Sequence, residues 1–135
     1  MQFLIETDIL KEYLIAATGE ETVLRKALAA GVCYTTMVNA LELFRACTSK
    51  EETDTVLQML MVVRVLGMNA RYGQSFAELS HAVEKETGLI LTNREAMIIG
   101  MAKASKLTIV TKEFYERYTS VMAVPIVRSA EEVPQ

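Results

Sequence analysis

Five acids stand where apolar runs give way to helical patterns, and together they could hold a divalent cation. Glu6 and Asp8 follow the run Phe3-Leu4-Ile5. Glu42 lies inside Val38-Asn39-Ala40-Leu41-Glu42-Leu43-Phe44-Arg45-Ala46, Glu95 follows Thr92-Asn93-Arg94, and Glu113 comes soon after Thr108-Ile109-Val110. Each has an ordinary explanation on its own. Glu6 and Asp8 can be solvated at a strand end, and Asp8 and Glu113 complement a helix dipole. Glu42 can pair with Arg45 at (i, i+3), a contact of about 0.2–0.5 kcal/mol. Thr92-x-x-Glu95 is a capping-box pattern, as is Ser49-x-x-Glu52. Taken jointly the acids ask for more, because clustered carboxylates repel and are not gathered without a cation. Hard oxygen ligands suit Mg²⁺ or Mn²⁺, which clamp phosphate oxygens and activate water.

The elements that must position these acids follow from periodicity and caps. Gln2 to Ile5 reads as a short buried strand, followed by a helix from about Asp8 to Ala17 with Leu10, Tyr13 and Leu14 at helical spacing. A second helix is expected over residues 20–30, closed by Gly31, and a second strand over residues 32–35. Thr36 caps a third helix to about Cys47, with Leu41 and Phe44 marking its buried stripe. Ser49 opens a fourth helix to about Val62, and residues 63–66 form a third strand. Asn69 caps a long fifth helix with the stripe Tyr72, Phe76, Leu79 and Val83, ended by Gly88. Thr92 or Asn93 caps a sixth helix to about Ser105, in which Gly100 implies close packing on a neighbour. Residues 108–110 are a strand, Thr111 caps a short helix through Tyr118, and residues 123–127 are a last strand whose Pro125 suits a sheet edge. The tail from Arg128 is expected to fray.

Strands alternating with helices predict an α/β fold: a three-layer α/β/α sandwich around a short, mostly parallel sheet. Parallel strands share one C-terminal edge. Glu6 and Glu113 lie at that edge, Glu95 opens the helix leading into one of its strands, and Glu42 follows another by about two turns.

The length of 135 residues fits a single domain, residues 1–135, and 51% hydrophobic with 23% charged residues excludes a disordered chain. No apolar run reaches the roughly 18 residues needed to span a bilayer. The acidic N-terminal stretch lacks a basic n-region, so no signal peptide is expected. Cys33 and Cys47 lack metal spacing and read as reduced thiols of a cytoplasmic protein. A net charge of −3 argues against a generic nucleic-acid binder, yet setting four acids aside as metal ligands turns the balance slightly positive.

The order strand-acid-Thr-acid, Glu-Leu-Phe-Arg-Ala, Glu-Ala-Met-Ile-Ile-Gly-Met-Ala and Val-Thr-Lys-Glu resembles the PIN-domain family over nearly the whole chain, and within it the VapC-type toxin ribonucleases. The resemblance implies a metal-dependent ribonuclease that hydrolyses RNA phosphodiesters, the toxin of a toxin–antitoxin pair, with an antitoxin protein as partner. It places metal ligands at Glu6, Glu42, Glu95 and Glu113, with Thr111 as a polar neighbour; Asp8, with its shorter side chain, is a candidate substitute ligand. Arg45 and Lys112 are candidates to steer backbone phosphates. Three of the four ligand positions, Glu6, Glu95 and Glu113, usually carry Asp in the family. Glu is longer by one C–C bond, about 1.5 Å, so either the three changes move together or the site is degenerate.

Two alternatives stand beside the nuclease. One is a PIN-like module that only binds RNA or protein. The other is a phospho-receiver domain, which needs an Asp at the end of a central strand, and Val32-Cys33-Tyr34-Thr35 offers none. The only histidine, His81, supports no Ser/His/Asp triad. Gly67 and Gly73 match no nucleotide-binding fingerprint. The apolar stretch from Val56 to Met68 predicts a surface that packs against a second copy or a partner.

Overall fold

The computed structural model describes residues 1–121 and 123–133. Its order is β1 (Gln2–Ile5), α1 (Thr7–Ile15), α2 (Val23–Ala30), β2 (Val32–Thr36), α3 (Met37–Ala46), α4 (Lys50–Val62), β3 (Arg64–Leu66), α5 (Ala70–Thr87), α6 (Asn93–Ser105), β4 (Thr108–Val110), α7 (Tyr115–Val121) and β5 (Ile126–Val127), then a 3₁₀ turn at Ala130–Glu132. The five strands form one all-parallel sheet in the order β3-β2-β1-β4-β5. The chain builds outward from β1 to β2 and β3, then returns to lay β4 and β5 on the other side. The order therefore reverses between β1 and β4, where ligand crevices of open parallel sheets form.

Alternation along β1 sorts the core into two layers. Phe3 and Ile5 point to the side covered by α1, α2, α3 and α4, where Leu10, Leu24, Leu43 and Met59 pack. Leu4 points to the other side, against α5, α6 and α7, where Phe76, Ile98, Met101 and Tyr118 pack. All three β1 residues are fully buried, so the strand sits in the middle of both cores. The expected three-layer α/β/α architecture is the observed one.

Caps set most boundaries. The Thr36 and Thr92 hydroxyls cap α3 and α6, and both helices carry closed capping boxes, through Asn39 and Glu95 respectively. At α4 the Ser49 hydroxyl accepts from Glu52 N, but Glu52 accepts in turn from the Thr48 backbone N–H at 2.8 Å, so the reciprocal bond lands one residue early. Helix α2 begins at Val23, later than expected, because Thr22 is its N-cap and Glu12 of α1 accepts from Val23 N at 2.9 Å. Gly100 is as close-packed as its place suggested: a Cβ there would stand 2.2 Å from Phe76 Cδ1.

Two expectations need correction. The inward face of α3 is Asn39, Ala40 and Leu43, while Leu41 is exposed, because the capping box turns Asn39 into the core. The tail does not fray as far as it is described. Lys26 pairs with Glu131 at 2.8 Å, Arg128 pairs with Glu132 at 3.0 Å, and Ala130 and Val133 pack on the α1–α4 core. Residues 134–135 lie outside the described residues. Both cysteines are free, and burial pushes the Cys33 thiol up to about 12. No helix among the described residues is long and apolar enough to cross a membrane.

Candidate functional site

The cleft lies at the C-terminal edge of the sheet, above the β1/β4 reversal. Glu6 is the residue at which β1 becomes α1. Its backbone N–H still donates to Val110 O at 3.1 Å, continuing the ladder, while its extended backbone makes it the N-cap of α1. Its side chain is 0% exposed. Such burial is tolerable only when a carboxylate is paired and fully hydrogen-bonded. Five donors meet it. Oε1 accepts from Thr7 N at 3.1 Å, Asn39 Nδ2 at 2.7 Å and Arg94 Nη2 at 2.7 Å. Oε2 accepts from Arg94 Nη1 at 2.8 Å and from the Tyr118 hydroxyl.

Glu42 reaches the same place from α3. It does not pair with Arg45. Its Oε1 accepts from the Thr7 hydroxyl and from Arg94 Nη2 at 2.9 Å, and its Oε2 accepts from Arg94 Nε at 2.8 Å. The Arg94 guanidinium thus lies between the two acids, bidentate to each, and Nη1 donates further to the Tyr118 oxygen at 3.0 Å. Its other support is the Phe114 ring, 4.7 Å from the guanidinium carbon, within cation–π range. Arg94 holds the Glu42 carboxyl below its ordinary range, and Glu42 and Glu6 raise the guanidinium in return. Burial, with the neighbouring Glu6 charge, pushes the Tyr118 phenol up.

The other expected ligands are engaged elsewhere. Glu95 accepts from Thr92 N at 2.9 Å, closing the cap of α6, and from Arg117 Nε at 2.7 Å, which lowers its pKa. Asp8 anchors the turn after β4: Oδ1 accepts from the Thr111 hydroxyl at 2.9 Å, and Oδ2 from the backbone N–H groups of Lys112 at 2.9 Å and Glu113 at 3.1 Å. Thr111 is fully buried, its hydroxyl also accepting from Phe114 N, so it shapes the turn and does not face a substrate. Lys112 is paired with Glu12 at 2.8 Å, away from the cleft. Glu113 and Arg45 do line the cleft, with Thr7, Lys11, Glu42, Arg94 and Phe114, around a volume of 300 Å³. His81 is exposed on α5.

Among the described residues, no group of three or more His, Cys, Asp or Glu side chains comes together as a metal site. The acids as they stand do not fit Mg²⁺ or Mn²⁺. Glu6 and Glu42 converge, but on an arginine; Glu95 and Asp8 are turned to other donors; Glu113 is exposed. Reading the acids alone missed Arg94, Tyr118, Asn39 and Arg117. One signal was available for Arg94. A cation in the first turn of a helix opposes the macrodipole, so its presence after Thr92-Asn93 pointed to a partner outside α6.

The layers, the strand order and the edge on which Glu6 and Glu42 meet define the class of fold: it is the PIN-type fold of VapC proteins. Among solved structures, the chain is similar to a chain of VapBC2 from Rickettsia felis bound to a DNA fragment from their promoter. Identity is 19%, over 94% of this chain and 98% of that one, with a TM-score of 0.74. It is similar to a chain of VapBC-1 from nontypeable Haemophilus influenzae at 12% identity, over 94% and 97%, with a TM-score of 0.73. A chain of FitAB bound to an IR36 DNA fragment matches at 15% identity over 100% and 99%, with a TM-score of 0.70. No protein-family model and no curated protein matches the chain. At these identities the likeness is one of fold.

Proposed function

We propose that this chain is a PIN-domain protein built like the toxin ribonucleases, working as the toxin-side, antitoxin-binding member of a two-protein pair. The observation that carries the reading is an uncovered apolar surface on the α1–α4 side of a fold shared with chains of VapBC and FitAB complexes. Ile15, on this surface, is 86% exposed. A groove of 440 Å³ between α1, α3 and α4 is walled by Leu14, Ile15, Leu43, Ala46 and Val56, with Lys11 and Glu52 among its polar members. Such a surface marks a protein interaction site, and an amphipathic helix of an antitoxin supplies a matching face. RNA is the nucleic acid this class implies, and Lys11 and Arg45 at the cleft offer charge to its phosphates. The surface reading stands apart from the chemistry of the cleft, since a partner can cover α1–α4 whatever the cleft holds.

Co-expression with the protein encoded by the adjoining reading frame, followed by light scattering, tests the proposal. A hetero-complex is expected, weakened tenfold or more by Ile15→Lys with Ala46→Lys, both on the groove wall. A homodimer of the chain alone, lost in the same variant, would make a second copy the occupant. A monomer that binds nothing and tolerates both lysines would overturn the reading.

A further inference from the structure

We infer that Arg94 is the resident cation of this cleft, a tethered guanidinium standing where clustered acids would otherwise need a divalent metal, so that the chain folds without Mg²⁺ or Mn²⁺ and does not hydrolyse RNA through metal-activated water. The inference rests on the PIN-type reading for the location of the cleft and on this chain's own side chains for its content.

The donor count comes first. A guanidinium has five N–H groups, and Arg94 places all five inside the protein: Nε on Glu42, both Nη2 protons on Glu6 and Glu42, and both Nη1 protons on Glu6 and the Tyr118 oxygen. None remains to grip a phosphate, so Arg94 is a counter-ion and not a substrate clamp. The acceptor count agrees. Glu6 Oε1 already takes three donors and Oε2 two, while Glu42 Oε1 takes two. A Mg²⁺ ion must approach its oxygens to about 2.0–2.1 Å in a near-ideal octahedron. Here it would have to displace a guanidinium that is covalently attached, never deprotonated and only 23% exposed.

The surrounding residues hold this arrangement. Asn39, itself fully buried, fixes its amide oxygen with the Thr36 N–H and hydroxyl and turns its NH₂ on Glu6 and Thr7. Phe114 supports the guanidinium from one face. The acids that could enlarge the site are withdrawn, Glu95 by Arg117 and Asp8 by the turn after β4. Two carboxylates that would repel one another are reconciled by a cation from the chain itself.

Mn²⁺ titration of the natural protein by calorimetry and electron paramagnetic resonance, with thermal melts in EDTA and in Mn²⁺, tests the inference. The expected result is no saturable one-per-chain site, the same Tm in both melts, and intact RNA in the presence of Mn²⁺. Arg94→Ala removes the counter-ion and is expected to gain a Mn²⁺ site and a Tm that rises with Mn²⁺, while Arg94→Lys retains a cation and gains neither. A saturable Mn²⁺ site, stabilisation by Mn²⁺ or Mn²⁺-dependent cleavage in the natural protein would overturn the inference. So would a folded Arg94→Ala that ignores the metal; if that variant fails to fold, the natural protein and Arg94→Lys still decide. Partner binding is measured separately. Its failure beside an unchanged metal result would reject the toxin–antitoxin reading and leave the assignment of Arg94 standing.

Discussion

Glu6→Gln separates an arginine-paired acid from a metal ligand by the sign of its effect. The substitution keeps the shape of the side chain and removes its charge. In the folded protein every direction around the Glu6 carboxylate is occupied by donors: Thr7 N, Asn39 Nδ2 and Arg94 Nη2 on one oxygen, Arg94 Nη1 and the Tyr118 hydroxyl on the other. Whichever way the amide of the new glutamine turns, its NH₂ meets N–H groups. Removing one partner of a buried ion pair costs about 3–5 kcal/mol. The lower end applies, because Arg94 keeps Glu42 and is partly exposed. At about 2.1 cal/mol/K per residue, unfolding this chain of 135 residues carries an entropy of about 0.28 kcal/mol/K, so 3 kcal/mol lowers Tm by about 10 °C. Calorimetry of both proteins in EDTA at neutral pH makes the measurement. Were Glu6 instead one of several unpaired acids awaiting a metal, neutralising it in EDTA would relieve repulsion and raise Tm. A rise, or no change, refutes the pairing argued here.

Three further outcomes follow from the same contacts. Gly100→Ala gains helix propensity of up to about 1 kcal/mol but drives a methyl into Phe76, a typical overpacking cost of about 1–3 kcal/mol, so urea denaturation should show a net loss; a gain would mean that the α5–α6 contact is looser than described. Asp8→Ala frees the turn after β4 and should cost about 1 kcal/mol, as loss of a cap does, with faster hydrogen exchange at the Lys112 and Glu113 amides; unchanged exchange there would refute the anchoring role. The hydrogen bond from Lys112, with that from Val23 N, holds the Glu12 carboxyl below its ordinary value of 4.5. A depressed folded pKa gives stability that is present above the ordinary value and lost as pH falls through the folded one. Because the pair is partly solvated, Glu12→Gln should cost less than about 1 kcal/mol at neutral pH, and its curve should rejoin that of the natural protein in acid; a gap that persists in acid would contradict this.

The fold was legible because its signals are local and agree with one another. An apolar run with no room for helical periodicity made β1, and hydroxyl or amide caps opened α3, α5 and α6 at Thr36, Asn69 and Thr92. What was misread also has local causes. The buried face of α3 was placed on Leu41, yet a hydrogen bond from Thr36 sets Asn39 inward, and in a helix a one-residue change rotates the face by about 100°. Tyr118 looked like the end of a short helix and is instead a buried hydroxyl that donates to Glu6, a contact spanning 112 residues of chain that no window of sequence displays.

The candidate site was legible in place but not in content, and the reason is electrostatic. Topology carries acids to one edge of a parallel sheet, and that much follows from strand ends and helix starts. What each acid does there depends on which cations arrive with it. Arg94 and Glu95 are neighbours in the first turn of α6, and the turn can send only one of them toward β1. Glu95 is claimed by the cap at Thr92 and by Arg117 of α7, so the inward direction falls to Arg94. A shorter acid at position 95 would reach the cap and Arg117 less readily, and the competition would be closer. The length of Glu95, read in the sequence as a shift in metal–ligand reach, instead lets the acid close the cap and meet Arg117, away from the cleft. An arginine one residue away then supplies from within the chain the positive charge that Glu6 and Glu42 require.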